Sequence, residues 1–187
     1  TADDGTSTVF DIFAITVTNT DDPPVIGGTD TGTVTEDIDP DSDNLLEVAS
    51  ALSIADDDIG ESSFVAETIN GVYGDLNIDA LGNWDYSADN TQAAIQQLDG
   101  GQSVTDTLTV TTADGTTHDI VITINGAEDA PVLGGIATGA VTEDGSLSDT
   151  NTLTIADVDA NDNPISFDNV AATVGDNGYG TFAMAAN

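Results

Sequence analysis

The chain repeats itself, and the repeat sets the size of the unit that has to fold. Asp22-Pro23-Pro24-Val25-Ile26-Gly27-Gly28, followed by Gly32-Thr33-Val34-Thr35-Glu36-Asp37, returns as Asp129-Ala130-Pro131-Val132-Leu133-Gly134-Gly135, followed by Gly139-Ala140-Val141-Thr142-Glu143-Asp144, at an offset of 107 residues. Self-similarity at a fixed period marks one structural unit used more than once. The same kind of strand-like run precedes each copy, at 13–19 and 120–125. Downstream, Leu52-Ser53-Ile54-Ala55-Asp56-Asp57-Asp58 matches Leu153-Thr154-Ile155-Ala156-Asp157-Val158-Asp159 at an offset of 101, so the second copy is six residues shorter in the intervening loop. Tyr73-Gly74 recurs as Tyr179-Gly180. The expected organisation is the C-terminal end of a preceding repeat over 1–22, a complete repeat over 23–129 and the N-terminal part of a following repeat over 130–187. The two partial copies total 80 residues and lack a counterpart of 83–112, too little to complete one another by pairing between molecules. A window on a longer tandem array is the simpler reading.

Within the complete repeat, short alternating runs are separated by Gly, Asn and Asp turns, the pattern of an antiparallel sandwich. Strands are expected near 31–36, 46–55, 63–69, 72–79, 83–87, 104–112 and 116–125. Asn70-Gly71 reads as a two-residue hairpin turn, because both positions tolerate positive φ, and Leu81-Gly82-Asn83 as a second turn. A short helix over 91–98, capped by Asp89 or Asn90, would pack Ala94, Ile95 and Leu98. Seven strands in 107 residues predict an all-β chain of tandem immunoglobulin-like β-sandwich repeats, one complete and two partial.

Charge narrows the function. The 187 residues include 35 acids, no Lys, no Arg and one His, a formal charge of -35. Nucleic-acid binding draws its affinity from Lys and Arg on phosphates, and an anionic membrane surface needs the same cations. No nucleic-acid partner is expected, and no direct membrane insertion, because no apolar run approaches the roughly 20 residues of a bilayer span. Six of the acids are Glu, leaving 29 Asp, the residue of turns and of hard-cation ligation. Without Lys or Arg, self-repulsion opposes compaction unless something outside the chain neutralises it, and a dissolved metal cation is the candidate. The sequence is otherwise that of a folded protein, 39% apolar with Val, Ile, Leu and Thr in alternating runs. The absence of Cys removes disulfides, thiolate metal sites and Cys nucleophiles.

Catalysis has little to work with. His118 is the one side chain that titrates near neutrality unshifted, and its neighbours Ile120 and Ile122 share its face of a strand, so a packed or half-exposed strand histidine is favoured over a general base. Carboxylate pairs are too plentiful here to signal glycosidase chemistry. Trp84 and Tyr86 could stack a sugar, but their shared parity on one strand favours core packing. The chain is not expected to be an enzyme.

Metal ligation is better supported, because chain direction sorts the acids. If the first strand starts at the upstream end of a repeat, the loop after it lies at the far end and the loop after the second strand returns to the near end. Glu36 and Asp37 then fall beside the outgoing linker Asn125-Gly126-Ala127-Glu128-Asp129, and Asp157 with Asp159 of the next repeat returns to that same linker. The upstream junction has matching parts in Asn19, Asp21, Asp22, Asp56 and Asp58, with Asp114 as a further candidate, but no upstream Glu-Asp pair. Any single Asp reads best as a solvated turn residue. The set reads as a calcium (Ca2+) site, since Ca2+ takes 6–8 oxygen ligands from carboxylates and carbonyls, on the order of what these residues offer. Asp37-Ile38-Asp39-Pro40-Asp41-Ser42-Asp43 superficially resembles an EF-hand loop, yet has Ser42 where the loop needs Gly and Val48 where it needs Glu. It reads as an acidic surface loop.

The motifs quoted above, together with Tyr73-Gly74-Asp75-Leu76-Asn77-Ile78, Gly82-Asn83-Trp84-Asp85-Tyr86, Gln96-Gln97-Leu98 and Thr105-Asp106-Thr107-Leu108-Thr109-Val110, resemble the VCBS repeats of large bacterial surface proteins. Such repeats are similar to cadherin-like domains and form extended stalks in secreted RTX-type adhesins exported by type I systems. The resemblance implies an extracellular, cell-surface location and a role in cell adhesion or biofilm formation. It implies neighbouring repeats of the same chain as partners, with other copies of the chain or a cell-surface target as further candidates, and a self-assembling extracellular filament or sheath as the alternative. It also maps Glu36 onto the acid ending a cadherin first strand, 125–129 onto the acidic linker, and Asp157 with Asp159 onto the Asp-x-Asp of the following repeat. The cadherin Asp-Arg-Glu motif has no counterpart, there being no Arg.

Overall fold

Alternation with period two places every second side chain of a strand on one face, and that face becomes the core. The computed structural model describes residues 2–3, 5, 8–9, 12–18, 20–38, 43–162 and 165–186; Asn19 and 39–42, within the acidic loop, lie outside the described residues. A small antiparallel pair, β1 (Ala2–Asp3) and β2 (Thr8–Val9), comes first. The sandwich follows: β3 (Val25–Gly28), β4 (Thr31–Thr35), β5 (Leu45–Ala55), β6 (Glu67–Asn70), β7 (Gly74–Ile78), β8 (Asn83–Asp89), the short α1 (Ala93–Gln96), β9 (Ser103–Thr111) and β10 (Thr117–Asn125). One sheet has the order β3-β5-β8-β7-β6, the other β4-β10-β9.

The core lies between them. Leu76 and Ile78 on β7, Trp84 and Tyr86 on β8, Leu108 and Val110 on β9 and Ile120, Ile122 and Ile124 on β10 are all buried. Both aromatics are therefore core residues. Trp84 donates its indole N–H to Thr29 O at 2.9 Å, which fixes the ring under the crossing from β3 to β4. His118 is half-exposed, its Nε2 3.3 Å from Asp30 Oδ2, as expected for a strand histidine.

All seven expected strands form, with shifted ends. The run expected at 63–69 is regular only from Glu67; before it, Phe64 makes an isolated bridge to Thr112. Asn70-Gly71 is not a two-residue turn: Asn70 pairs with Asp75 and Gly71 N donates to Gly74 O at 2.8 Å, a longer loop. A buried carboxylate causes this, since Asp106 accepts the N–H groups of Val72, Tyr73 and Gly74 at 2.9, 2.9 and 3.2 Å. The turn at 81–83 does form, with Gly82 at φ 89. The helix is shorter than 91–98, its N-cap is Gln92 without a side-chain cap bond, and Ala94 is exposed while Ile95 is buried. Asp89 instead accepts Thr91 N at 2.8 Å and Thr91 Oγ1 at 2.7 Å, an Asx turn that leads into the helix.

Two departures concern strands. β3 was not among the expected strands; it pairs with β5, and Gly28 at φ 90 then lets the chain switch sheets. The strand expected at 13–19 is not one: 12–18 are irregular and exposed. Its counterpart β10 is held by β4 and β9, and nothing in residues 1–187 corresponds to a β9 ahead of residue 12.

Beyond the sandwich, β11 (Val132–Gly135) pairs with β12 (Leu153–Ala156), and β13 (Val170–Val174) with β14 (Thr181–Met184). The first pair reproduces β3–β5 residue for residue: Val132↔Ala156 repeats Val25↔Ala55, and Gly135↔Leu153 repeats Gly28↔Leu52. Gly135 has φ 87 against 90 at Gly28, and Asp144 has φ 61 against 59 at Asp37.

Candidate metal centre

Parallel pairing of β4 with β10 makes both strands end at the same edge, with Thr35 beside Asn125. Glu36-Asp37 and the linker that follows Asn125 therefore leave the sandwich together. Glu36 N donates to Asn125 O at 3.0 Å, and Ala127 N donates to Glu36 Oε1 at 2.8 Å. The linker hugs the 98–99 loop: a Cβ on Gly126 would lie 2.3 Å from Leu98 O and 2.5 Å from Asp99 O, so only glycine fits. On the other side, antiparallel pairing of β11 with β12 sets Ala156 beside Val132 and returns Asp157 and Asp159 to the linker. Asp129 N donates to Asp159 Oδ2 at 2.9 Å and Asp159 N to Asp157 Oδ1 at 3.1 Å.

Glu36, Asp37, Asp129, Asp157 and Asp159 are thus brought to one place, and Glu128 joins their edge. Glu36 and Asp159 are fully buried. Burial raises the Glu36 pKa above its ordinary value; the Ala127 N–H works against this, and the charges of Asp37, Asp129 and Asp159 add to it. Asp129 is raised by burial first, then by Asp37 and Asp159. Asp37 is lowered by side-chain hydrogen bonds from Gln96 and Asn90. Glu36 Oε2 and Asp129 Oδ2 are buried oxygens with no hydrogen-bond donor. A buried acceptor left in this state normally finds a proton, a water or a cation.

A second group overlaps the first. Asp99, Glu128 and Asp159 each offer an oxygen within 4.8 Å of the others, as do Asp157, Asp159 and Asp162. Glu128 is raised by its contact with Asp99 and by Asp162, and Asp162 by burial and then by Asp99. Asn161 Nδ2 donates to Asp99 Oδ2 at 3.2 Å and Ala160 N to Gln97 O at 3.2 Å, so the loop after β12 sits on the end of α1.

The upstream junction repeats the arrangement. Asp22 N donates to Asp58 Oδ2 at 2.8 Å and Asp58 N to Asp56 Oδ1 at 2.7 Å. Asp21, Asp58 and Glu61 offer oxygens within 4.8 Å of one another, and Asp56 Oδ2 and Glu61 Oε2 are buried without a donor. Asp114 is not part of it; its carboxylate caps its own turn through Thr112 Oγ1, Thr116 N and Thr116 Oγ1. Asp99, Asp162 and Glu61 were not foreseen. Glu61 and Asp162 stand 101 residues apart, the same offset that relates Asp58 to Asp159, so the repeat itself carried the signal.

Every donor here is a hard oxygen, with no thiolate or imidazole, which suits Ca2+ or Mg2+ rather than a softer metal. The profile of the bacterial cadherin-like domain matches residues 21–126, more than half of the chain. The chain belongs to the bacterial cadherin-like domain family. The cadherin-like sandwich expected from the motifs is thereby borne out. Among curated proteins, none matches the chain. Bacterial cadherin-like domains are non-catalytic structural modules, typically extracellular, that fit an adhesion-type or structural role. Among the described residues of this cadherin-like chain, no helix is long and apolar enough to cross a membrane.

Proposed function

We propose that the chain is a non-enzymatic stalk segment of a large secreted bacterial surface adhesin, stiffened by calcium at the junctions between repeats. The observation that carries this is Glu36: a fully buried glutamate whose Oε2 meets no donor, among Asp37, Asp129 and Asp159, in a chain with no Lys or Arg. Calcium would supply positive charge and many-oxygen coordination there. Glu36, Asp37, Asp129 and Asp157 would hold one ion, Asp99, Glu128 and Asp162 a second, with Asp159 belonging to both groups. Glu36 follows β4, the linker follows β10 and Asp157 follows β12, so an ion shared among them would tie successive repeats. Weak extracellular modules bind at roughly 10⁻⁴–10⁻³ M, which suits an external medium and leaves the chain flexible in a calcium-poor cytosol.

Small-angle scattering tests this. Millimolar calcium should lengthen and stiffen the particle and EGTA should reverse the change; an identical profile in both would sink the reading. Partners follow from it: neighbouring repeats of the same chain, and a cell-surface target or further copies. The alternative reading is a subunit of a self-assembling extracellular filament or sheath. Concentration-dependent polymers in electron micrographs would support it, and a strictly monomeric rod would remove it.

A further inference from the structure

The turn before α1 and the end of α1 reach the junction through two neutral amides, Asn90 and Gln96. Asp37 Oδ1 accepts from Gln96 Nε2 at 3.0 Å and from Asn90 Nδ2 at 3.1 Å, and Asp37 N donates to Asn90 Oδ1 at 3.3 Å. These contacts join residues more than 50 positions apart in the chain, so they tie the exit of β4 to the helical turn. Their role is not to impose the backbone. Asp37 has φ 59, a left-handed conformation uncommon outside Gly, Asn and Asp, and its counterpart Asp144 adopts φ 61 with no counterpart of Asn90 or Gln96 in residues 1–187. The amides act on the carboxylate.

We propose that Gln96 and Asn90 are positioning residues that hold the Asp37 carboxylate toward the downstream junction without neutralising it, so that this helical turn sets the affinity of the junction for a divalent cation. An amide N–H orients a carboxylate as a guanidinium or ammonium does, but carries no net charge. Lys or Arg in its place would supply the positive charge internally and remove the need for an ion. The sequence has neither, and the oxygens beside Asp37 that lack donors, Glu36 Oε2 and Asp129 Oδ2, remain for the cation. Residues that orient metal ligands typically change affinity by roughly 10–100-fold when removed.

The inference rests on the calcium reading above, and one experiment separates the two. The whole chain is titrated with CaCl₂ and followed by two-dimensional amide NMR, with Ala127 and Asp129 reporting the downstream junction and Asp22 and Asp58 the upstream one. In Gln96→Leu the downstream midpoint should rise by roughly tenfold while the upstream midpoint stays put. Gln96→Lys should weaken the downstream midpoint at least as much, although it restores a donor to Asp37. A Gln96→Leu titration equal to wild type overturns the inference, as does wild-type affinity in Gln96→Lys, which would make the contact a plain tether. If the wild-type Ala127 and Asp129 amides do not respond at all, the calcium reading itself falls and takes this inference with it.

Discussion

Two buried carboxylates show how differently the same group is used. Asp106 accepts three backbone N–H groups and, at 3.1 Å, the hydroxyl of Tyr86, whereas Glu36 accepts one N–H and keeps an oxygen with no donor. The first is a finished structural unit; it also holds the Tyr86 phenol protonated far above its ordinary range, through burial first and the Asp106 charge second. Asp106→Asn should destabilise the domain by about 3 kcal/mol in urea unfolding, because an amide group must face N–H donors. Asp75→Asn, on an exposed position, should stay within about 0.5 kcal/mol. The unfinished carboxylates predict a pH profile. Glu36, Glu61, Glu128, Asp129 and Asp162 have folded pKa values raised above their ordinary 4.5 (Glu) and 3.8 (Asp), so their contribution to stability is present at low pH and lost as pH rises through the raised values. Asp37, Asp79, Asp89 and Asp114 are lowered below 3.8, and their contribution is lost only beneath that value. In calcium-free buffer the urea midpoint should therefore climb as pH falls from about 7 toward 4.5 and drop again below 3.8; a flat profile above pH 4.5 would contradict the burial of Glu36 and Asp129 and the crowding of Glu128 against Asp99. Asp106 was legible after all, since it shares the parity of Leu108 and Val110 on β9, but an Asp between two threonines reads as exposed unless parity is counted.

Strands were legible because alternation states which face is buried, and their ends were not, because ends are set by neighbours. Residues 12–18 keep the alternation and form no strand, while β3 breaks it with Gly27-Gly28 and forms one, since β5 supplies its partner. Gly71 was read as turn-forming through its φ, whereas it is required by space: a Cβ there would lie 2.2 Å from Asp106 Oδ2. Gly82 and Gly101 separate the two reasons. Both have positive φ, 89 and 92, but a Cβ on Gly82 would lie 2.6 Å from the Leu52 carbonyl oxygen and one on Gly101 would meet nothing within 4 Å. Gly101→Ala should cost about 1 kcal/mol, the left-handed strain alone. Gly82→Ala should cost roughly 3 kcal/mol, since the β5 backbone at Leu52 cannot give way without disturbing its pairing with Gly28 of β3. Equal losses in urea unfolding would mean that the turn, not the packing of its tip, decides.

At the scale of the whole chain, the net charge of -35 has no basic side chain to oppose it, so a cation or a proton has to do so. The junction was legible as a set, because chain direction and the repeat together say which loops meet. Its membership was less so: Asp99 comes from a loop whose approach depends on Gly126, a contact no pattern announces. If calcium fills the junction, stability follows mass action: at about 10 mM ion and a Kd of roughly 10⁻⁴–10⁻³ M, each site adds roughly 1–3 kcal/mol. Glu36→Gln then separates a ligand from a merely buried acid. The variant keeps a carbonyl for the Ala127 N–H and replaces the oxygen that lacks a donor by an NH₂ facing Asp37, Asp129 and Asp159. Without calcium it should be more stable than wild type, because a buried charge and its repulsions are gone. With about 10 mM calcium the order should invert, since a neutral amide is the poorer ligand and its NH₂ repels the ion. Urea midpoints of the two proteins in EGTA and in calcium would therefore cross. A variant less stable than wild type in both buffers would make Glu36 an ordinary structural acid, and the proposed calcium site would lose the residue that carries it.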